Sequence, residues 1–163
     1  MIDQALSFLR GDGRDEESKP VDVSAMLEAI ASDLSDAGRP ISLSASPEAV
    51  LRCKPLALKR ALINLIDNAL KYGGAARVRL DRMPGVITIT VDDDGPGIPE
   101  FDREKVFGPF YRREDSRNRE TGGAGLGLTI ARTVIRALGG DVTLDDAPQR
   151  GLRVEVTLPK SAE

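Results

Sequence analysis

The sequence predicts an α/β fold in two layers, in which helices cover one face of an open, largely antiparallel sheet. Three segments alternate apolar and polar residues with period two, at 76–82, 86–92 and 152–158, and therefore predict strands with one apolar and one polar face. Two segments, between Ser24 and Gly38 and over 55–72, carry apolar residues at helical spacing. Their apolar faces are expected to cover the apolar face of the sheet.

Start and stop signals bound the elements in the first half of the chain. Ser24 is a suitable N-cap for the first helix, and Gly38-Arg39-Pro40 is expected to end it. Alternation over residues 41–45 predicts a strand. The second helix, 55–72, begins at a proline suited to a first turn and ends before two glycines.

The second half of the chain adds a hairpin, a long loop and a helix. Residues 83–85 are short enough for the turn between two strands, and a helix that starts near Leu126 precedes a fourth strand at 141–145. The stretch 99–123 is long, charged and interrupted by Gly and Pro, which is typical of a lid or a binding loop. Upstream, Gly, charge and Pro predict a solvated linker over 11–20.

Composition excludes several classes of function. The net charge of −3 does not favour nucleic acid or an anionic membrane as a partner. The chain contains no histidine, which excludes His-based general bases, Ser-His-Asp triads and most zinc sites. The one cysteine, Cys53, cannot form an internal disulfide, which suits a reducing compartment, and we expect a partly buried side chain without a role.

A glycine cluster runs directly into the helix near Leu126, an arrangement in which backbone amides often meet phosphate. It is not a P-loop, because Leu128 follows Gly127 where Lys-Ser/Thr is required. It is not a dinucleotide fingerprint either, because the glycine spacing differs and no strand precedes it. Taken alone, the cluster is as compatible with a flexible hinge as with an anion site.

An acidic turn follows the strand predicted at 86–92. In Asp94-Gly95-Pro96-Gly97, a carboxylate at a strand end can accept a hydrogen bond from an exocyclic amine such as adenine N6. The glycines would let the backbone approach the ring of the base. By itself the segment is equally compatible with a plain acidic turn.

Two carboxamides, Asn64 and Asn68, lie four residues apart on the second helix and therefore point the same way. An amide oxygen suits Mg²⁺ and adds no negative charge beside a triphosphate. Lys71 can reach a phosphate oxygen, and Tyr72 can offer its ring to a base. Asn is a poor helix former, so its use here favours a function over a solvated polar face.

Together these stretches resemble the catalytic ATP-binding domain of sensor histidine kinases, within the GHKL ATPase group. The match covers about residues 20–160, with four motifs in the family's order: "NLIDNALKY" as the N box, "DDGPGI" as the G1 box, "FGPFYR" as the F box and "GGAGLGL" as the G2 box. The resemblance implies an α/β sandwich with a mixed sheet of about five strands under about three helices. It also implies an ATP lid at about 99–123, a remnant of a phosphoacceptor hairpin plus linker at 1–19, and a tail at 161–163.

The resemblance implies roles for single residues. At the phosphate end it implies a Mg²⁺ ligand, Asn68, and phosphate contacts by Asn64, Lys71, Arg112, Gly123, Gly125, Leu126 and Gly127. Around the base it implies a carboxylate that reads adenine N6, Asp94, and pocket residues Tyr72, Gly95, Gly97 and Ile98. Phe107 and Phe110 are expected to anchor the lid.

The resemblance also bears on mechanism and partners. Hydrolytic members of the group place a glutamate base where this chain has Asn64, so the site is expected to hold Mg-ATP without activating water. The acceptor histidine is expected on a separate hairpin of the same parent protein, with relay to a response regulator. An anti-sigma-type serine kinase and a non-catalytic nucleotide-binding module remain alternatives. We expect a monomeric cytoplasmic domain of a homodimeric parent in the inner membrane, without nucleic-acid partners.

Overall fold

A computed structural model of the chain describes residues 16–108 and 127–160. This part forms seven strands and three α-helices, in the order β1 Lys19–Asp22, α1 Val23–Asp36, β2 Ile41–Ala45, β3 Val50–Cys53, α2 Pro55–Gly73, β4 Ala76–Met83, β5 Val86–Asp92, α3 Gly127–Ala137, β6 Asp141–Asp146 and β7 Leu152–Pro159. Two short 3-10 turns, Glu100–Asp102 and Lys105–Phe107, follow β5.

The main sheet has five strands in the order β2-β4-β5-β7-β6. Only the β2–β4 pair is parallel, and the other three pairs are antiparallel. The predicted mixed, largely antiparallel sheet of about five strands is therefore confirmed. β4 and β5 form a hairpin in which Met83 pairs with Val86, and the turn between them uses Gly85 at φ +77°, a conformation that glycine adopts without strain.

Alternation in the strands divides the sheet into a buried and a polar face. On β5, Ile87, Ile89 and Val91 are at most 1% exposed and belong to one core that also contains the apolar side of all three helices. The helices cover this face, as predicted. Burial of each leucine or isoleucine in such a core contributes roughly 1.5–3 kcal/mol. The opposite face carries ion pairs, such as the two 2.8 Å bonds from Arg153 to Asp92.

The N-cap predicted for the first helix is wrong. Asp22, and not Ser24, caps α1, because its carboxylate accepts the backbone N–H groups of Ser24 at 3.0 Å and Ala25 at 3.4 Å. Ser24 lies inside the first turn and is buried. An aspartate at the N-cap satisfies two amides that the helix leaves without an internal partner.

A second, two-stranded sheet was not predicted. β1 pairs antiparallel with β3, with Lys19 opposite Cys53. The predicted linker is therefore wrong at its end, since Lys19 and Pro20 belong to a strand. Cys53 is wholly buried rather than partly buried. Its burial, and then the charge of Glu16, raise the pKa of the Cys53 thiol to about 11.

The side chain of Glu16 also caps the N-terminus of α2, although it lies forty residues earlier in the chain. Its carboxylate accepts the N–H of Leu56 at 2.6 Å and that of Ala57 at 3.1 Å. The N-cap residue Lys54 gives no side-chain cap. A carboxylate at this end of a helix also interacts favourably with the helix dipole. These two hydrogen bonds attach the residues just before β1 to the helix that carries Asn64 and Asn68.

Candidate functional site

The end of α2 and the turn after β5 approach so closely that only glycine fits between them. A Cβ atom at Gly73 would overlap the side chain of Asp93, and one at Gly95 would lie 2.5 Å from the carbonyl oxygen of Tyr72. A side chain at either position would push the two segments apart. The predicted N box and G1 box therefore meet in space, as two walls of one site.

Asp93 lies at the base of this contact with 2% of its surface exposed. Its Oδ1 accepts the backbone N–H of Gly95 at 2.9 Å and that of Leu152 at 3.0 Å. Both of these hydrogen bonds go to Oδ1. The two bonds hold the carboxylate in one orientation.

Asp94 does not face this site. Its side chain is half exposed, and it forms an ion pair of 2.9 Å with Arg77 on the polar face of the sheet. Arg77 also donates at 3.4 Å to the carbonyl oxygen of Asp93. The structure thus corrects the predicted placement of Asp94 in the base pocket, and Asp93 is the carboxylate on the helix side.

The sequence contained a signal for this correction. The buried apolar residues of β5 occupy odd positions, at Ile87, Ile89 and Val91, so that alternation places residue 93 on the helix side and residue 94 on the polar side. The resemblance alone pointed to the aspartate next to Gly95. The period of the strand identifies the neighbouring aspartate instead.

Asn64 and Asn68 are half-buried on the side of α2 that meets the start of α3. A Cβ at Gly127, the first residue of α3, would lie 3.9 Å from the Cβ of Asn64. Neither carboxamide forms a hydrogen bond with another residue of the described ranges. The structure therefore brings the predicted Mg²⁺ and phosphate residues to the N-terminus of a helix, where backbone N–H groups favour anions.

Lys71 lies on the exposed edge of the same region. Its ammonium group is 3.2 Å from Asp67, one turn earlier on α2. Both side chains are about 40% exposed, so this pair contributes little stability. Exchange of Asp67 for a phosphate oxygen would therefore cost little, and the predicted role of Lys71 stays a prediction.

The turn after Asp93 forms the other side of the site. Ile98 is 4% exposed, and its carbonyl oxygen accepts a hydrogen bond from Arg103 Nε at 3.1 Å. Gly97 adopts φ +75° and lies against the backbone of Gly151. Tyr72 is half-buried at the end of α2. Gly95 thus meets Tyr72, and Gly97 and Ile98 follow Gly95 in the same turn. Their role in a base pocket stays a prediction.

Phe107 is 8% exposed and belongs to the core, and its predicted role as an anchor of the lid stays a prediction. The remaining predicted residues lie outside the described part of the chain: Phe110, Arg112, Gly123, Gly125 and Leu126. The predicted hairpin remnant up to residue 15 and the tail at 161–163 lie outside it too, and the lid is described only as far as residue 108. These assignments stay predictions.

The described residues contain no group of three or more Cys, Asp or Glu side chains that could hold a metal ion. Within the same ranges, no helix is both long and apolar enough to cross a bilayer.

Comparison with known families agrees with this geometry. Residues 53–162 match the family described as histidine kinase-, DNA gyrase B- and HSP90-like ATPases. The matched segment includes both carboxamides, Asp93 and the glycine cluster.

Two curated relatives are sensor histidine kinases. The chain is 39% identical over 160 residues to the sensor histidine kinase GtrS of Pseudomonas aeruginosa, which covers 98% of this chain and 33% of that protein. It is 48% identical over 106 residues to the sensor histidine kinase CpxA of Escherichia coli, which covers 64% of this chain and 23% of that protein. The chain thus spans a third or less of the length of these relatives.

Two solved domains share the fold over nearly their whole length. The ATP-binding domain of PrrB from Mycobacterium tuberculosis superimposes with a TM-score of 0.74 at 28% identity, covering 90% of this chain and all of that one. The histidine kinase domain of the E. coli osmosensor EnvZ gives 0.70 at 30% identity, covering 93% and 94% of the two chains. The sheet and its helices are therefore a known arrangement.

Proposed function

Because the chain belongs to the family of histidine kinase-, DNA gyrase B- and HSP90-like ATPases, we propose that it binds Mg-ATP and donates the γ-phosphoryl group to a histidine. The acceptor would lie on a separate hairpin of a longer sensor kinase, for relay to a response regulator. One observation carries the proposal. Asp93, a buried carboxylate, meets the C-terminal end of the helix whose earlier turns carry Asn64 and Asn68, and Gly127 of α3 lies against Asn64.

The base end of the site is proposed to read adenine. Asp93 Oδ2 would accept a hydrogen bond from the exocyclic N6 amine, while the two bonds to Oδ1 keep the carboxylate in place. Tyr72 and Ile98 would contact the ring. A keto oxygen at the same position of the base would face the carboxylate without a proton between them, which disfavours guanine.

The phosphate end is proposed to hold Mg²⁺ through Asn68, with Asn64 close to the phosphates. The donor set fits, because neutral amide oxygens suit a hard cation that takes its other ligands from phosphate and water. When bound, Mg²⁺ would neutralise charge on the triphosphate. The start of α3 at Gly127 would bind phosphate oxygens through backbone N–H groups.

The residues of the site favour transfer over hydrolysis. Asn64 is an amide and cannot accept a proton from water at neutral pH, so no general base is offered at that position. Phosphoryl transfer depends mainly on positioning and on stabilisation of charge, which Lys71 and Arg112 would supply. The full sequence contains no histidine, so the acceptor must come from another segment or chain.

The longer protein is proposed to be a homodimer in the inner membrane, with this domain in the cytoplasm and monomeric by itself. The proposal is supported by the kind of relatives that match, which are sensor histidine kinases. No nucleic-acid partner is proposed, because the net charge of −3 offers phosphate backbones no attraction.

A transfer experiment tests the proposal. The chain is mixed with radiolabelled Mg-ATP and a separately prepared hairpin that carries a histidine. Acid-labile label on the hairpin is the expected result. Acid-stable label on a serine substrate, or binding without any transfer, would contradict histidine kinase activity.

A variant pair tests the metal assignment. We expect Asn68→Ala to abolish Mg²⁺-dependent ATP binding in calorimetry while the circular dichroism spectrum is unchanged. Lys59→Ala, on the exposed side of the same helix, is the matched control and should bind as the wild type does. Unchanged Mg²⁺-dependent affinity in Asn68→Ala would remove Asn68 from the metal site.

A further inference from the structure

The turn that follows β5, residues 93–98 and here the G1 turn, lies on the end of the β6–β7 hairpin. At its start, the backbone N–H of Asp93 donates to the carbonyl oxygen of Leu152 at 3.0 Å, and Asp93 Oδ1 accepts the N–H of Leu152 at 3.0 Å. Further along, a Cβ at Gly97 would lie 3.5 Å from the carbonyl oxygen of Gly151. The start and the middle of the G1 turn therefore contact the hairpin directly.

Arg103 connects the last residue of the G1 turn to the same hairpin. Its Nε donates to the carbonyl oxygen of Ile98 at 3.1 Å, and its Nη2 lies 2.8 Å from the carboxylate of Asp146, the last residue of β6. Nη1 lies 3.8 Å from Asp145. Asp146 is paired with Leu152 in the β6–β7 ladder. Both ends of the G1 turn are thus held at one point of the sheet.

The contacts of Arg103 differ in strength. The two carboxylates are 75% and 78% exposed, so their ion pairs with Arg103 are screened by water and add little stability. The bond to Ile98 joins a charged donor, on a side chain that is 18% exposed, to a residue that is 4% exposed. The carboxylates therefore orient the guanidinium group, and the Nε bond holds the turn. A guanidinium group can make both contacts at once because its N–H groups lie in a rigid plane.

The G1 turn joins two groups that are proposed to contact the base. Asp93, at its start, is proposed to read adenine N6, and Ile98, at its end, to contact the ring. Their relative position depends on the turn between them. If the end of the turn were released, Ile98 would occupy its binding position for only a fraction of the time, and the apparent affinity would fall by that fraction.

We propose that Arg103 is a positioning residue for the base of the nucleotide. It holds the end of the G1 turn against the β6–β7 hairpin and so keeps Ile98 where the ring binds. The inference rests on the proposed function. It implies that loss of Arg103 lowers the affinities for ADP and for an ATP analogue by the same factor, because the G1 turn is proposed to contact only the base.

Two variants are matched controls. Arg136, on α3, donates to Asp141 at 2.9 Å with a side chain that is 54% exposed, and none of its described contacts is with the G1 turn. Arg136→Met therefore removes an arginine and an ion pair elsewhere in the domain. Asp146→Asn removes the charge that orients Arg103 but keeps the bond from Nε to Ile98.

Calorimetry of the whole chain with Mg²⁺ and either ADP or a nonhydrolysable ATP analogue tests the inference. Arg103→Met should lose about tenfold in affinity for both nucleotides, the equivalent of one hydrogen bond from a charged donor. Arg103→Lys should recover little, because one ammonium group cannot replace both contacts. Asp146→Asn should lose less than about threefold, and Arg136→Met should bind as the wild type does.

Amide hydrogen exchange of the nucleotide-free chain gives a readout that does not depend on binding. Exchange in the G1 turn should be faster in Arg103→Met than in the wild type and unchanged in Arg136→Met. A double-mutant cycle tests the route through Ile98. In an Ile98→Ala background, Arg103→Met should cost less ADP affinity than in the wild type, since the side chain to be positioned is already gone.

A folded Arg103→Met protein with wild-type affinities would overturn the inference and leave the proposed function intact. A purely structural role would give that result together with a lower melting temperature. A loss confined to the ATP analogue, or an equal cost of Arg103→Met in the Ile98→Ala background, would overturn it as well. If Arg103→Met does not fold, Arg103→Lys decides, because it keeps the charge and most of the length of the side chain. A wild-type chain that binds neither nucleotide would overturn the proposed function and this inference together.

Discussion

Replacement of Asp93 by asparagine isolates the role of one carboxylate oxygen. The substitution preserves shape and removes the charge. In the structure Oδ1 accepts the backbone N–H groups of Gly95 and Leu152. The asparagine side chain is expected to keep its carbonyl oxygen on these two donors. Its NH₂ group then takes the place of Oδ2 and faces the proposed position of adenine N6, where one donor meets another.

The size of each effect follows from these contacts. Two hydrogen bonds change from a charged to a neutral acceptor, which costs about 1 kcal/mol each and lowers the free energy of unfolding by about 2 kcal/mol. Binding of adenine loses a charge-assisted bond and leaves a donor without a partner, about 2–3 kcal/mol, or roughly a thirty- to 150-fold loss in affinity. A 6-oxo purine presents an acceptor to the new NH₂ group and should lose much less.

The assay is calorimetry of the wild type and the variant with ADP and with inosine diphosphate, beside a thermal melt of each. Asp94→Asn is the matched control, because it makes the same chemical change one residue later, at a half-exposed ion pair with Arg77. It should change ADP affinity by less than about threefold. A folded Asp93→Asn protein that keeps its preference for ADP would refute the assignment of Asp93, and a large loss in Asp94→Asn would restore Asp94.

Three further perturbations probe other parts of the fold. Glu16→Gln weakens the bonds that close the start of α2 and should lower the free energy of unfolding by about 1 kcal/mol in urea titrations; an equally stable variant would contradict this capping role. The pKa of Cys53 is raised from 9.0 to about 11, so its contribution to stability is present below pH 9 and lost as pH rises through 11. Cys53→Ala should remove that alkaline loss from the unfolding curves. In Gly73→Ala the new methyl group would overlap Asp93, so nucleotide affinity and melting temperature should both fall; unchanged affinity would contradict the close contact of these segments.

Local periodicity was sufficient for most of the secondary structure. The strand predicted at 86–92 has those bounds, and the helix predicted at 55–72 runs to residue 73. Both carry long amphipathic patterns, which depend only on neighbouring residues. The four-residue strands β1 and β3 lack such a pattern. They become strands because they pair with each other across about 30 residues of intervening chain, and a pairing over that distance leaves no local signal.

The candidate site was likewise predictable from local sequence only in part. The two carboxamides and the glycine cluster were visible as motifs, because their spacing on one helix or at one helix start is a local property. The alternation of β5 was a local signal that Asp93 lies on the helix side, but the close approach of Gly95 to the end of α2 depends on how the helix packs on the sheet.

The sequence by itself determined the order and type of the main elements. It also showed the absence of a histidine and the resemblance to a family. Only the tertiary structure decided that Gly95 meets the backbone of Tyr72, that Glu16 caps a helix forty residues away, and that Arg132 joins α3 to Glu104 and Phe107. These three features share a physical reason. Each is a contact between side chains or backbone groups of different elements, and its energy depends on distance and burial in the folded chain, which no window of neighbouring residues contains.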